Sequence, residues 1–166
     1  MPELTSLHAD HAPAVLAFEL ANRAYFADSV SDRGDEYFAR FAERFADLLA
    51  EQEAGVCAFY LLFDADGSVL GRFNLMDLVD GGASLGYRVA ERATGRGVAT
   101  AAVLELCRLA PLAHGLRELR AAAADTNPAS QRVLAKAGFT PAGPAGPADL
   151  GGRTGSWFHR TLVAAP

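Results

Sequence analysis

The clearest chemical signal in the chain is Arg92-Ala93-Thr94-Gly95-Arg96-Gly97-Val98-Ala99-Thr100. The segment follows a short apolar run, Leu85 to Val89, and opens a long alanine- and leucine-rich pattern of helical period from Val98 onward. A strand, a glycine-rich turn and a helix start, in that order, build a cradle for an anion. Gly95 and Gly97 let the backbone approach a ligand closely and take up φ values closed to other residues. The helix start supplies unpaired N–H groups and the positive end of a dipole, which together hold a phosphate or pyrophosphate. Arg92 and Arg96 add positive charge in a chain whose formal net charge is −5. That local inversion of sign points to a phosphorylated ligand. Two other readings fit the same glycines. One is a plain strand-to-helix turn. The other is a dinucleotide loop, with Thr100 at the third glycine position and Asp125 as the ribose-binding acid.

The elements around the loop weigh against the dinucleotide reading, which needs a series of strand–helix–strand units. Glu3 to Leu7 reads as a short first strand and Asp10 to Ala21 as a helix. Ala27 to Asp35 reads as a polar loop, and Asp35 to Gln52 as a second helix carrying Phe38, Phe41, Phe45, Leu48 and Leu49. Val56 to Phe63 and Val69 to Leu75 flank the turn Asp64-Ala65-Asp66-Gly67 as a hairpin. After Gly81-Gly82, Ala83 to Val89 is a third strand. Gly97 to Ala113 is the helix behind the cradle, and Leu116 to Ala123 a strand entering the core. Asn127 caps a helix that starts at Pro128 and stops at Gly138. Pro141 to Gly152 reads as a loop, and Thr154 to Val163 as a final strand. Antiparallel hairpins followed by a single crossover make an α+β sheet with one parallel junction.

Composition sets the outer bounds. A chain of 166 residues with a 51% apolar fraction suits one compact domain spanning residues 1–166. An acidic pI near 5.3 argues against a sequence-independent nucleic-acid binder, which needs a basic face. No apolar span approaches transmembrane length. The first ten residues lack the basic and apolar regions of a signal peptide, so a cytoplasmic protein without a membrane partner is expected. Cys57 and Cys107 sit in apolar settings and read as buried free thiols. His8, His11, His114 and His159 show no metal-ligand pattern, so no metal is expected.

A second motif lies one helix and one strand beyond the first: Asp125-Thr-Asn127-Pro-Ala-Ser130-Gln-Arg-Val133-Leu-Ala-Lys136-Ala-Gly138-Phe139. With Arg92-x-x-Gly95-x-Gly97 before it, the chain resembles the GNAT superfamily of acetyl-CoA-dependent N-acetyltransferases. The segments Leu85-Gly86-Tyr87 and Leu16 to Arg23 resemble the branch that acetylates ribosomal-protein N-termini (RimJ/RimL). The resemblance is strongest from Ala83 to Phe139. It implies a GNAT fold: a mostly antiparallel central sheet of six to seven strands, a splayed parallel pair, and helices on both faces.

The resemblance also implies roles. The pyrophosphate of acetyl-CoA sits on the N–H groups from Gly95 through Arg96, Gly97, Val98 and Ala99 to Thr100, with Arg92 and Arg96 nearby. The pantetheine arm pairs with the strand carrying Tyr87 and Val89, as an added strand. Asn127 bonds the arm, caps its helix, or does both. Ser130 is the candidate catalytic acid toward the departing sulfur, because Leu134 occupies the position where many relatives carry a tyrosine. Ser84 stands where many relatives have a glutamate, so the base is open, with Glu19, Asp77 and Asp80 as candidates through water. An α-amine has a pKa near 8 and needs no strong base. Tyr25, Phe26 and Tyr37 flank the loop that walls the acceptor site in the family. The expected reaction is direct acetyl transfer to a primary amine in a ternary complex. The acceptor is a protein N-terminus, or a small-molecule amine such as an antibiotic, polyamine or amino acid. The remaining alternative is a non-catalytic CoA-binding sensor. A monomer or a homodimer fits equally.

Overall fold

The computed structural model describes residues 2–163. In chain order these residues form β1 (Leu4–Ser6), α1 (Ala12–Ala21), α2 (Arg23–Ser29), α3 (Asp35–Ala39), α4 (Phe41–Glu53), β2 (Ala58–Phe63), β3 (Val69–Val79) and β4 (Gly82–Val89). They continue with α5 (Val98–His114), β5 (Glu118–Ala124), α6 (Pro128–Lys136), β6 (Thr140–Ala145) and β7 (Gly155–Thr161). The strands make one seven-stranded sheet in the order β1-β2-β3-β4-β5-β7-β6. Every neighbouring pair is antiparallel except β4 and β5. This is the mixed α+β sheet with one parallel junction that the element order implies.

Period-two alternation along β2 explains why the run is apolar throughout. Ala58, Tyr60 and Leu62 face a core built with α5 and α6, which includes Phe73, Leu75, Leu106, Leu119 and Leu134. Phe59 and Leu61 face a second core under α1, α2 and α4, with Val15, Phe18, Phe26, Phe41 and Phe45. Helices therefore cover both faces, and β2 has no solvated side to signal by polar residues. Phe41 and Phe45 of the aromatic stripe are core side chains, in ring contact at 5.7 Å.

The structure corrects three expected elements. The segment Ala27–Ser29 is helical and closes α2, so the loop is shorter than expected. The Phe26 ring packs on Phe18 at 5.5 Å, and this burial holds the helix across the break at Asn22. The single helix expected over Asp35 to Gln52 is two, broken at Arg40, whose φ of −111° and ψ of 26° leave the helical region. Pro141–Ala145, expected in a loop, belongs with Thr140 to the edge strand β6. Its Pro141 and Pro144 are tolerated because an edge strand leaves one row of N–H positions unpaired. A register shift between Pro141 and Gly143 further bends the strand. Cys57 and Cys107 are buried and free, and burial raises both thiols.

At the far end of the sheet, β7 lies against β5 with no room for a side chain at Gly155. A Cβ there would sit 2.0 Å from the Ala123 carbonyl oxygen and 2.7 Å from the Ala124 Cα, both backbone atoms that cannot swing away. Gly155→Ala is therefore expected to lower stability by about 1–3 kcal/mol. Urea unfolding should show it as a lower midpoint at unchanged slope.

Candidate active site

The parallel pair that joins the two halves of the sheet is brief. Gly82, Ala83 and Ser84 pair with Glu118, Leu119 and Arg120, and there the pairing stops. From Leu85 to Val89 and from Ala121 to Ala124 the strands part, and both stretches line a cleft of about 690 Å³. The antiparallel partners on either side hold the parted strands in place. Residues 84–89 of β4 remain on β3, and all of β5 remains on β7. The cleft thus exposes an unpaired β4 edge inside the protein, where an extended amide chain can add as a strand.

The glycine loop closes one end of this cleft. Gly95 and Gly97 have φ of 74° and 75°, and both face open space where a Cβ would stand. Gly97 begins α5 with no side-chain cap, while the Ala101 N–H already bonds the Gly97 carbonyl at 3.0 Å. The N–H groups of Val98, Ala99 and Thr100 therefore face outward as the unpaired first turn of a 17-residue helix. The loop and the helix start all belong to the cleft wall, apart from Arg96. Arg92 and Arg96 do not line the cleft. The Arg92 guanidinium binds Asp64 and reaches Ser68 Oγ at 2.7 Å, tying the loop to the β2–β3 turn. Arg96 Nη1 contacts the Arg92 carbonyl at 3.4 Å.

At the opposite wall, α6 brings Asn127 and Ser130 to β4. The Asn127 side-chain Oδ1 accepts from the Ser130 N–H at 3.2 Å, the capping bond read from the sequence. Ser130 Oγ lies 2.9 Å from the Tyr87 hydroxyl, across the parted strands. Burial pushes Tyr87 up to about 12, against the opposing pull of the Ser130 hydrogen bond. The pair is thus protonated at neutral pH and carries hydroxyl protons into the cleft. No sequence pattern linked Tyr87 to Ser130, because the contact depends on how far β4 leans toward α6.

The other face of β4 looks toward α1 and α2. There Glu19, 1% exposed, accepts from Arg33 Nη2 and Arg72 Nη1 through Oε1, both at 2.9 Å. Glu19 does not line the cleft, and neither do Asp77 or Asp80. The Glu19 carboxylate balances buried guanidinium charge instead. Among the described lining residues the one carboxylate is Asp149, whose Oδ2 is held 3.0 Å from the Gly146 N–H. Tyr25 and Phe26 line the cleft as the family loop implies, while Tyr37 packs beneath it on Phe38 and Phe41. Arg33, Arg88 and Arg153 also line it and were not singled out from the sequence. Arg88 follows Tyr87 and so points to the opposite face, a placement that alternation gives once the strand register is known.

The histidines have local partners. His8 and His11 cap one short turn, His114 bonds the Tyr60 hydroxyl at 2.6 Å, and His159 meets Glu118 at 3.2 Å. Among the described residues no group of three or more His, Cys, Asp or Glu is placed to hold a metal, and no helix is long and apolar enough to cross a membrane.

A family model described as an acetyltransferase (GNAT) domain matches residues 3–140. The chain belongs to the GNAT family of N-acetyltransferases. Its fold is similar to that of ribosomal-protein-S5-alanine acetyltransferase from Vibrio fischeri, with a TM-score of 0.86 at 18% identity, over 96% of this chain and 92% of that one. It is also similar to RimJ of Mycobacterium smegmatis in complex with CoA-disulfide, with a TM-score of 0.83 at 24% identity, over 95% and 80%. Spermidine N-acetyltransferase of Vibrio cholerae, in complex with CoA and spermine, gives 0.78 at 14%, over 96% and 95%. No curated protein sequence matches the chain.

The cradle makes a direct prediction. A β-branched side chain cannot adopt the Gly97 φ of 75° without moving the N–H groups that follow. Gly97→Val is expected to weaken acetyl-CoA binding at least tenfold by calorimetry, and retained affinity would remove the loop from donor binding.

Proposed function

We propose that the protein transfers the acetyl group of acetyl-CoA to a primary amine by direct attack within a ternary complex. The observation that carries this reading is the parting of β4 from β5 with the Tyr87–Ser130 pair on its wall. The residues present suit the donor. The N–H groups at Val98, Ala99 and Thr100 would hold its pyrophosphate, with the turn at Gly95 and Gly97 giving the backbone room to approach. Arg96 adds charge beside that turn. Arg92 acts through its grip on the β2–β3 turn, which fixes the loop. The free edge of β4 from Tyr87 to Val89 would pair with the amides of the arm, with Asn127 at the facing helix start.

The protein's own contribution to the chemistry is placement and proton supply. Ser130, hydrogen-bonded to Tyr87, donates a proton or hydrogen bond to the departing sulfur. Tyr87 orients the Ser130 hydroxyl, and the proton released by the acylated nitrogen restores the pair, so that in net the amine's proton ends on the CoA thiol. The one carboxylate among the described lining residues, Asp149, is engaged by the Gly146 N–H, so the acceptor enters as the neutral amine, which an α-amine with a pKa near 8 supplies at working pH. A protein N-terminus fits this requirement, and so does the α-amine of a small molecule. Fold neighbours that acetylate ribosomal proteins or spermidine support amine acetylation as the class of reaction.

Release of free CoA thiol across a panel of amines and peptides tests the proposal. Ser130→Ala is expected to lower kcat by about 10²-fold, the usual contribution of a positioned acid, while acetyl-CoA affinity stays within twofold. Tyr87→Phe is expected to lower kcat by a smaller factor. Unchanged turnover in Ser130→Ala would remove Ser130 from the mechanism. Tight acetyl-CoA binding with no thiol release from any amine would leave a CoA-binding protein without catalysis.

A further inference from the structure

The acceptor side of the cleft is positively charged, against the acidic balance of the whole chain. Arg88 leaves β4 toward α2, with its guanidinium 5.0 Å from the centre of the Phe26 ring. Its Nη2 donates to Ser31 Oγ at 3.3 Å, while its Nη1 and Glu19 Oε2 are both buried without a hydrogen-bond partner. Nearby, Glu19 is the one carboxylate against three guanidinium groups, those of Arg33, Arg72 and Arg88. Both Arg33 and Arg72 bond Glu19, and Arg88 does not. Arg153, from the connection between β6 and β7, closes the same end. Its Nη1 lies 3.3 Å from the Ser29 carbonyl and 3.5 Å from Thr126 Oγ1.

We propose that Arg88, backed by Arg33, reads an anionic group on the acceptor, so that the substrate is a small amine carrying a carboxylate, as an amino acid does. The inference rests on the amine-acetylation reading above and names its substrate class. Three physical reasons carry it. The Arg88 guanidinium lines the cleft and has one hydrogen bond, to Ser31, so it keeps donor capacity that a bound carboxylate takes up. Arginine presents a planar fork that matches a carboxylate in two parallel hydrogen bonds. The cluster around Glu19 carries net charge +2 from three arginines and one glutamate, which attracts an anion and repels a polycation. Burial, with Arg33 close by, pulls Arg88 down to about 10, so it stays charged at neutral pH. Strand alternation puts Arg88 one residue beyond Tyr87, on the face that looks away from Ser130. Arg88 and the parted strands line the same cleft, so one molecule can present its amine at the strands and an anionic group at Arg88.

The test compares L-amino acids with their own carboxamides, which keep the amine and lose the charge. Spermidine serves as the polycation and peptides with an acidic second residue as the larger carboxylate source. Thiol release should favour the acids over their amides at least tenfold in kcat/KM, with spermidine poorer than either. In Arg88→Gln the acid-to-amide ratio should fall toward one, and Arg88→Lys should restore part of it. Amides or spermidine matching the acids in the unaltered enzyme would overturn the proposal. So would an unchanged ratio in Arg88→Gln, or a lower melting temperature in that variant with the ratio intact, which would make Arg88 structural. Acidic peptides surpassing the free acids would overturn the small-molecule class. Calorimetric titration of the same acids and amides onto the CoA complex separates this inference from the reaction. Arg88-dependent binding of acids without thiol release sinks the acetylation reading and keeps the anion site, whereas transfer to amines with equal binding of acids and amides does the reverse.

Discussion

The structure turns on a parallel strand pair that is allowed to fail. β4 and β5 share three paired residues and then separate, although each keeps its antiparallel partner on the outer side. A gap in the middle of a sheet strands backbone N–H and C=O groups away from their usual partners, and such groups demand partners from elsewhere. Here the demand is met by a cleft deep enough to admit a chain of amides. The seven-stranded sheet survives the gap because two helical layers hold it from both faces. α5 and α6 press on one core while α1, α2 and α4 press on the other.

The two walls of that cleft carry different groups. On the α5 and α6 side lie backbone N–H groups of a helix start, a capping asparagine and a serine–tyrosine hydroxyl pair, with Arg132 and Lys136 of α6 along the same wall. On the α1 and α2 side lies an arginine cluster in which Glu19 Oε1 bonds Arg33 and Arg72, while Glu19 Oε2 and Arg88 Nη1 are buried without a hydrogen-bond partner. The carboxylate that looked like a candidate base lies in that cluster, outside the cleft wall.

Arg92 illustrates how a motif residue can serve its motif indirectly. Its position in Arg92-x-x-Gly95-x-Gly97 reads as a charge for the phosphates. In the folded chain its guanidinium binds Asp64 and Ser68 on the neighbouring hairpin. The loop is thereby tethered at its first residue, and the glycines that follow bend from a fixed start. A surface pair of this kind adds little to global stability, and its effect is local: it holds the geometry of a loop whose glycines would otherwise sample many conformations.

The sequence by itself determined the hairpin-then-crossover order, the glycine turn and the Asn127 cap. These depend on local rules of backbone freedom, hydrogen-bond capping and periodicity that act within a few residues. It misread Ala27–Ser29 and Pro141–Ala145, where a buried ring and an edge position outweigh polar or proline-rich composition. Tertiary structure alone decided that Tyr87 meets Ser130, that Glu19 bonds Arg33 and Arg72, and that Arg88 lines the cleft. Each of those facts joins residues far apart in the chain, across a strand register and a splay that no local pattern encodes. The glycine loop and helix start of the cleft are therefore written in motifs. Its arginine-lined end is written in packing, because a loop's backbone geometry follows from glycines that the sequence shows, whereas side chains from separate strands and helices meet only in the fold.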